Sequence, residues 1–280
     1  MFRIIIDSCG ELTDEMKESG LFKSVALTLE VGEETIIDDE SFDQASFLEK
    51  VAACPTSPKS ACPSPAAYME AMDCDAEHIY IVTLSSQLSG SYNSALLAQE
   101  LFEEDDESKS IHVFDSKSAS IGQTLIGLKI KELEEQGLSF EAVVEQTEAY
   151  IEKQNTYFVL ESLDTLRKAG RLSGLKAMVA NTLNIKPVMA ATEIGSITQA
   201  GQVRGMAKAL EKLAQFSVDS VPEPEREERT VAISQCNCPE RAEKLKGLIE
   251  AMTKFKDIII LNTAGVSSMY AGDGGIIVVV

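Results

Sequence analysis

Four serines fall within eight residues, Ser85-Ser86-Gln87-Leu88-Ser89-Gly90-Ser91-Tyr92, just ahead of a helical periodicity that begins near Asn93. Hydroxyls and free backbone N–H groups at the amino end of a helix make a donor-rich nest for one anionic group. One serine suffices as a helix cap, so four exceed what capping requires. On the residues alone the nest suits a carboxylate, a small sugar or a nucleotide. A serine-dependent acyl hydrolase or acyl transferase working through Ser89 is the alternative, and it needs a base within hydrogen-bond reach. The chain has two histidines, His78 and His112, each at the amino end of an expected strand. At a rise of about 3.3 Å per residue, His78 lies roughly 20 Å from Ser85 at the far end of the same strand. A cysteine nucleophile meets the same shortage of a basic partner, so Cys9 and Cys62, in candidate site loops, read as small buried thiols.

Cofactor motifs are missing. No GxGxxG follows a strand and no GxxxxGK[ST] occurs. Cys236-x-Cys238 has no second ligand pair to complete a metal site, and Gly272-Asp273-Gly274-Gly275 reads as a tight turn before a terminal strand. No cofactor and no metal are expected.

Three apolar segments share one pattern that would position the polar residues. Residues 2–6 precede Asp7-Ser8, residues 79–84 precede Ser85-Ser86, and residues 111–114 precede Asp115-Ser116. Each reads as a buried strand, with helical periodicities between and after them, such as Ile121, Leu125 and Leu128. Alternating strands and helices predict an α/β fold with a doubly wound, mostly parallel sheet, whose ligands gather beyond the carboxyl ends of the strands. All three polar pairs fall there. Residues 54–65 carry four prolines and three serines and are expected as a loop or linker.

The pattern changes after residue 160. A short helix is expected over 163–168 and another over 174–183, then a hairpin joins 185–189 to 196–198 across Glu193-Ile194-Gly195. Residues 204–216 form an amphipathic helix, 221–229 a solvated loop, 231–234 and 258–261 strands around a helix over 240–252, and 276–280 a last strand. The length of 280 residues exceeds one compact core, so two domains are expected, 1–160 and 161–280, with the boundary near 157–163.

A formal net charge of −20 repels phosphate backbones and anionic membrane surfaces, which argues against nucleic-acid partners. No apolar run approaches the roughly 20 residues of a spanning helix, and Asp7 interrupts the first apolar run too early for a signal peptide. With six scattered cysteines read as reduced thiols, a cytoplasmic location is expected.

At the serine loop the chain resembles a known family: Leu84-Ser85-Ser86-Gln87-Leu88-Ser89-Gly90-Ser91-Tyr92 is similar to the SSxLSGTY motif of the bacterial DegV family. In order, Ile5-Ile6-Asp7-Ser8 resembles its opening strand, Ser60-Ala61-Cys62-Pro63-Ser64-Pro65 its TSQPSP loop, and Val113-Phe114-Asp115-Ser116 its DS strand. Further on, Leu166-Arg167-Lys168-Ala169-Gly170-Arg171-Leu172-Ser173-Gly174 is similar to LxxGGRISG, Leu183-Asn184-Ile185-Lys186-Pro187 to LLxIKP, and Val203-Arg204-Gly205 to xVRG. The resemblance covers essentially the whole chain.

It implies two α/β domains, the second with a mixed sheet, enclosing an apolar tunnel for a long-chain fatty acid whose carboxylate is held by hydroxyls. It also implies a carrier rather than an enzyme, one that presents the acid to a separate fatty-acid kinase, whose acyl phosphate enters phospholipid synthesis. By motif, the carboxylate contacts are Ser60 in place of the family threonine, Ser89, the Gly90 amide and Tyr270, with Ser86, Ser91 and Arg171 as further candidates. Arg204 matches an arginine implicated in docking the kinase. Two positions depart from the pattern. Ala61-Cys62 replaces Ser-Gln, and Tyr270 stands where many members carry histidine, offering a neutral hydroxyl but no positive charge. Burying about 15 methylenes at roughly 0.8 kcal/mol each gives on the order of 12 kcal/mol before association costs, so the tail can supply affinity while the hydroxyls orient the head.

Overall fold

The computed structural model describes residues 1–105, 108–172 and 184–280. The run Ile4-Ile5-Ile6 lies in strand β1 (Phe2–Asp7), and all three side chains are buried because both faces of its sheet are covered. Helix α1 (Asp14–Glu18), capped by the Thr13 hydroxyl, leads to strand β2 (Phe22–Val25). Strands β3 (Thr28–Val31) and β4 (Glu34–Ile37), helix α2 (Gln44–Ala53), strand β5 (Lys59–Ala61) and helix α3 (Pro65–Met72) follow. Strand β6 (His78–Thr83), helix α4 (Ser91–Asp105) and strand β7 (Ser110–Asp115) complete a sheet ordered β2-β1-β6-β7. All its neighbours are parallel, as the three repeated strand patterns predict.

A second, antiparallel sheet ordered β4-β3-β5 has no counterpart among the expected elements. Its strand β5 falls inside the proline-rich stretch expected as a loop. Residues of low strand propensity are extended there because Leu29 and its neighbours in β3 supply the pairing partner.

Helices α5 (Ile121–Glu135) and α6 (Phe140–Glu152) precede strand β8 (Thr156–Val159) and helix α7 (Asp164–Lys168). The hairpin of β9 (Ile185–Ala191) and β10 (Ile197–Arg204) is antiparallel, as expected. Then come helix α8 (Met206–Asp219), strand β11 (Thr230–Gln235), helix α9 (Pro239–Met252), strand β12 (Asp257–Asn262), helix α10 (Gly265–Ala271) and strand β13 (Ile276–Val279). The mixed third sheet runs β10-β9-β8-β13-β11-β12.

Three details differ from the sequence expectation. Strand β8 pairs with β9 and β13, so the chain changes sheets before Thr156, ahead of the 160/161 division. Arg204 ends β10 instead of opening a helix, because Gly205 intervenes at φ +83° and α8 starts at Met206. The stretch 221–229 contains a 3₁₀ helix, Glu223–Glu228, rather than only a loop. The helix expected over 174–183 lies outside the described residues.

Helix α5 is sandwiched between the two large sheets, touching β1 and β6 on one side and β11 and β13 on the other. Its residues Ile121, Gly122, Gln123, Thr124 and Leu125 are all buried, and Ile121 and Leu125 pack with Ala232 and Val279. The first turns of α5 are covered on every side by the two sheets, and the polar members among them bond internally, Gln123 to Asp7 and Thr124 to the Glu11 carbonyl. Among the described residues, no helix is long and apolar enough to cross a membrane.

Candidate functional site

The carboxyl ends of β1, β6 and β7 meet as the sequence predicts, but most of their polar side chains are spent on the backbone. Buried Asp7 accepts from Leu84 N at 2.8 Å, Gln123 Nε2 at 2.9 Å and Cys9 N at 3.2 Å, while burial pushes its carboxyl above the ordinary aspartate range. Asp115 Oδ1 accepts from Ser86 N and Lys117 N, both at 3.0 Å. Ser8 donates to Asp38 and Ser85 donates to the Gly195 carbonyl, each at 2.9 Å. This last bond seats the β9–β10 hairpin tip against the parallel sheet. Only glycine fits at 195, where φ is +83° and a Cβ would stand 2.3 Å from Ser85 Oγ.

The groups left near open space lie in the serine loop. Ser89 is half-buried and Gly90 exposed, immediately before α4. Ser89 Oγ lies 3.0 Å from Ser91 Oγ and accepts from Ser91 N at 3.2 Å, while Ser91 itself is fully buried. Ser91 therefore backs Ser89 and does not reach the surface. Across the loop, Arg171 Nε donates to the Leu88 carbonyl at 3.0 Å and Nη1 to the Ala169 carbonyl at 2.6 Å. An open groove runs between the two segments, with Ser86, Ser89, Gly90 and Arg171 on its walls.

A second space lies beside this groove, and Leu88, Arg171 and Ile197 line both. This cavity of about 90 Å³ is walled mainly by apolar side chains, Leu84 from the first sheet and Phe158, Leu160 and Ile277 from the third sheet and its margin. Phe158 and Ile277 are paired across β8 and β13 and so share a face of the mixed sheet. Tyr270 also lines the cavity, and its hydroxyl lies 3.1 Å from Ser60 Oγ on β5. Beside them, a Cβ on Gly90 would stand 3.1 Å from Cys62 Sγ, which brings the loop after β5 against the serine loop. Cys9 is buried as expected, but Cys62 is exposed because its loop lies at the surface.

The structure thus gathers Ser89, Gly90, Ser86 and Arg171 at one groove, sets that groove beside the cavity, and pairs Ser60 with Tyr270. Arg204 is exposed at the end of β10. Neither histidine is hydrogen-bonded to the serine loop among the described residues. His78 opens β6 and meets Glu134 at 2.7 Å, and His112 meets Glu148 at 3.3 Å. Each is engaged with a carboxylate on a helix, while the hydrogen-bond partners of the Ser89 hydroxyl among the described residues are the Ser91 hydroxyl and amide. Among the described residues, no group of three or more His, Cys, Asp or Glu side chains could hold a metal.

Sequence reasoning missed two buried carboxylates beside the cavity. Glu11 accepts from Ser120 Oγ at 2.8 and 2.9 Å, and burial raises its pKa to about 7. Burial likewise raises Asp38 to about 6. An acidic residue in a loop reads as solvated, and no motif marks either one.

A family model described as uncharacterised protein, DegV family, matches residues 1–280. A DegV domain-containing protein of Streptococcus pneumoniae is 38% identical over 256 residues, 91% of this chain and 89% of its own length. A DegV-family protein from Ruminococcus gnavus, whose crystal structure contains vaccenic acid, superposes with a TM-score of 0.96 at 50% identity, over 100% of this chain and 99% of that one. The fatty acid kinase (Fak) B3 protein of Streptococcus pneumoniae, loaded with linoleic acid, gives 0.88 at 36% identity over 100% and 98%. A match along the entire length, with the serine loop and its groove in place, means that this chain belongs to the DegV family.

Proposed function

We propose that this chain binds a long-chain fatty acid in the cavity between the strand ends and the mixed sheet, and presents its carboxylate at the serine-loop groove. The observation that carries the reading is an apolar cavity set directly beside a donor-rich groove, with Leu88, Arg171 and Ile197 forming the wall they share. Such a site removes a hydrocarbon tail from water and keeps the charged head near donors and solvent. Ser60, Ser89, the Gly90 amide and Tyr270 hold the carboxylate, with Ser86 and Arg171 on the rim and Ser91 supporting Ser89 from behind. Fatty acids bound to the structural relatives from R. gnavus and S. pneumoniae support the ligand class.

Native mass spectrometry of the purified protein tests the reading and is expected to show a co-purifying fatty acid that organic solvent releases. A ligand released only into water on denaturation would replace it with a sugar or nucleotide. Ser89→Ala removes one donor to a charged group, which costs about 1.5 to 3 kcal/mol and weakens binding by roughly 10- to 100-fold. Exchange of a labelled fatty acid measures this, and wild-type retention by the folded variant would discount Ser89.

The bound acid is then offered to a separate fatty-acid kinase, with Arg204 as a docking residue and the chain itself performing no chemistry. The S. pneumoniae relative named for fatty acid kinase supports this partner. Truncating an interface arginine is expected to lower phosphorylation of the bound acid by about tenfold while fatty-acid retention stays unchanged. Equal phosphorylation of Arg204→Ala and wild type removes the docking role.

A further inference from the structure

Helix α10 begins without a cap of its own, since its N-cap residue Ala264 makes no side-chain bond to it. Carboxylates from the first half of the chain take its leading amides instead. Glu11 accepts from Ala264 N at 3.2 Å, while the two oxygens of Asp38 accept separately from Gly265 N at 2.7 Å and Val266 N at 2.9 Å. Asp38 is 3% exposed, and its remaining partner is the Ser8 hydroxyl at 2.9 Å. The approach depends on glycine, because a Cβ at 265 would stand 2.5 Å from Asp38 Oδ1.

The small antiparallel sheet controls the other end of the same helix. Strand β4 runs into Asp38 and pairs with β3, and β3 pairs with β5, which carries Ser60. Ser60 meets the Tyr270 hydroxyl near the carboxyl end of α10. Between the two grips, Leu29 of β3 packs in one cluster with Val266 and Met269 of α10. One three-stranded sheet therefore holds α10 by its head, its flank and its tail.

We infer that Asp38 is a positioning residue for the head-group site: by capping α10 from across the fold, it sets the Tyr270 hydroxyl against Ser60 and so tunes affinity for the fatty-acid carboxylate. The inference rests on the fatty-acid reading above. It requires no contact between Asp38 and the ligand. A carboxylate can serve both Gly265 N and Val266 N, whereas an amide of the same shape turns an NH₂ toward one of them.

The test is a double-mutant cycle with a second readout that needs no ligand. Asp38→Asn is expected to weaken fatty-acid binding about tenfold, the scale of one lost bond to a charged group. In the ligand-free protein it should also speed amide hydrogen exchange across residues 265–271 by about tenfold. In a Tyr270→Phe background, where the positioned hydroxyl is gone, the same change should alter affinity by less than about twofold. Gly265→Ala approaches the cap from the helix side and should reproduce both effects, with thermal unfolding confirming that each variant folds. A tenfold loss that persists in the Tyr270→Phe background overturns the positioning role, because Asp38 would then act elsewhere. Unchanged exchange in ligand-free Asp38→Asn overturns it as well. If the wild type binds no fatty acid, the fatty-acid reading falls and this inference with it; additive losses in a protein that does bind remove this inference alone.

Discussion

Replacing Glu11 with Gln is expected to stabilise the protein by about 3 kcal/mol at about pH 8 and to leave its stability unchanged near pH 4. Glu11 is 5% exposed, and its partners are the Ser120 hydroxyl and the Ala264 amide rather than a cation. Burial is the largest influence and lifts its pKa from 4.5 to about 7, against the opposing pull of the Ser120 bond. The sign follows from proton counting. Between those two values the folded state keeps a proton that the unfolded state has released, so stability falls as pH rises through the window. Above about 7 the loss is complete, and a shift of about 2.5 units corresponds to about 3 kcal/mol. Glutamine keeps the shape and one acceptor for Ala264 N, stays neutral at every pH, and can donate to Ser120, whose hydroxyl also meets Ser234 at 2.7 Å. Urea unfolding of both proteins across this range measures the difference. Asp38, raised to about 6, leaves a residual slope of the same sign in the variant. Equal stabilities at the alkaline end would mean that the Glu11 carboxylate pays no desolvation penalty.

Ala191→Phe is expected to lower fatty-acid affinity by about 100-fold or more while the fold persists. Ala191 ends β9, is half-buried, and faces the cavity of about 90 Å³. A phenyl ring projecting there takes space that an acyl chain would need. Displacing about four methylenes at roughly 0.8 kcal/mol each forfeits about 3 kcal/mol, which is about two orders of magnitude in dissociation constant. The substitution lies at a strand end on a cavity wall and leaves the serine loop untouched, so it separates tail burial from head-group recognition. Titration with a labelled fatty acid, alongside circular dichroism and thermal unfolding, measures both quantities. Wild-type affinity in a folded Ala191→Phe protein would place the tail elsewhere.

Much of this fold could be read locally. Ile4-Ile5-Ile6, buried on both faces of β1, and the repeated strand-then-polar pattern through Ser85 and Asp115 announce the parallel sheet, because side-chain periodicity registers burial residue by residue. The serine loop announces a donor-rich helix start for the same reason: cap and amides lie within a few residues of one another. The β9–β10 hairpin is likewise visible, since its turn and its two strands are adjacent in the chain.

What the tertiary structure decided depends on partners far apart in sequence. Strand β5 exists because β3 pairs with it, and β8 belongs to the mixed sheet because β9 and β13 flank it. Ser60 and Tyr270 lie 210 positions apart, and Asp38 lies 227 positions from the Gly265 amide that it accepts. A single sequence carries no signal for such pairs. Their acidic and hydroxyl residues have the composition of ordinary surface loops until folding removes the water around them. Burial then turns Glu11 and Asp38 from solvated charges into the caps of α10, and the cavity between the sheets arises from the same long-range closure.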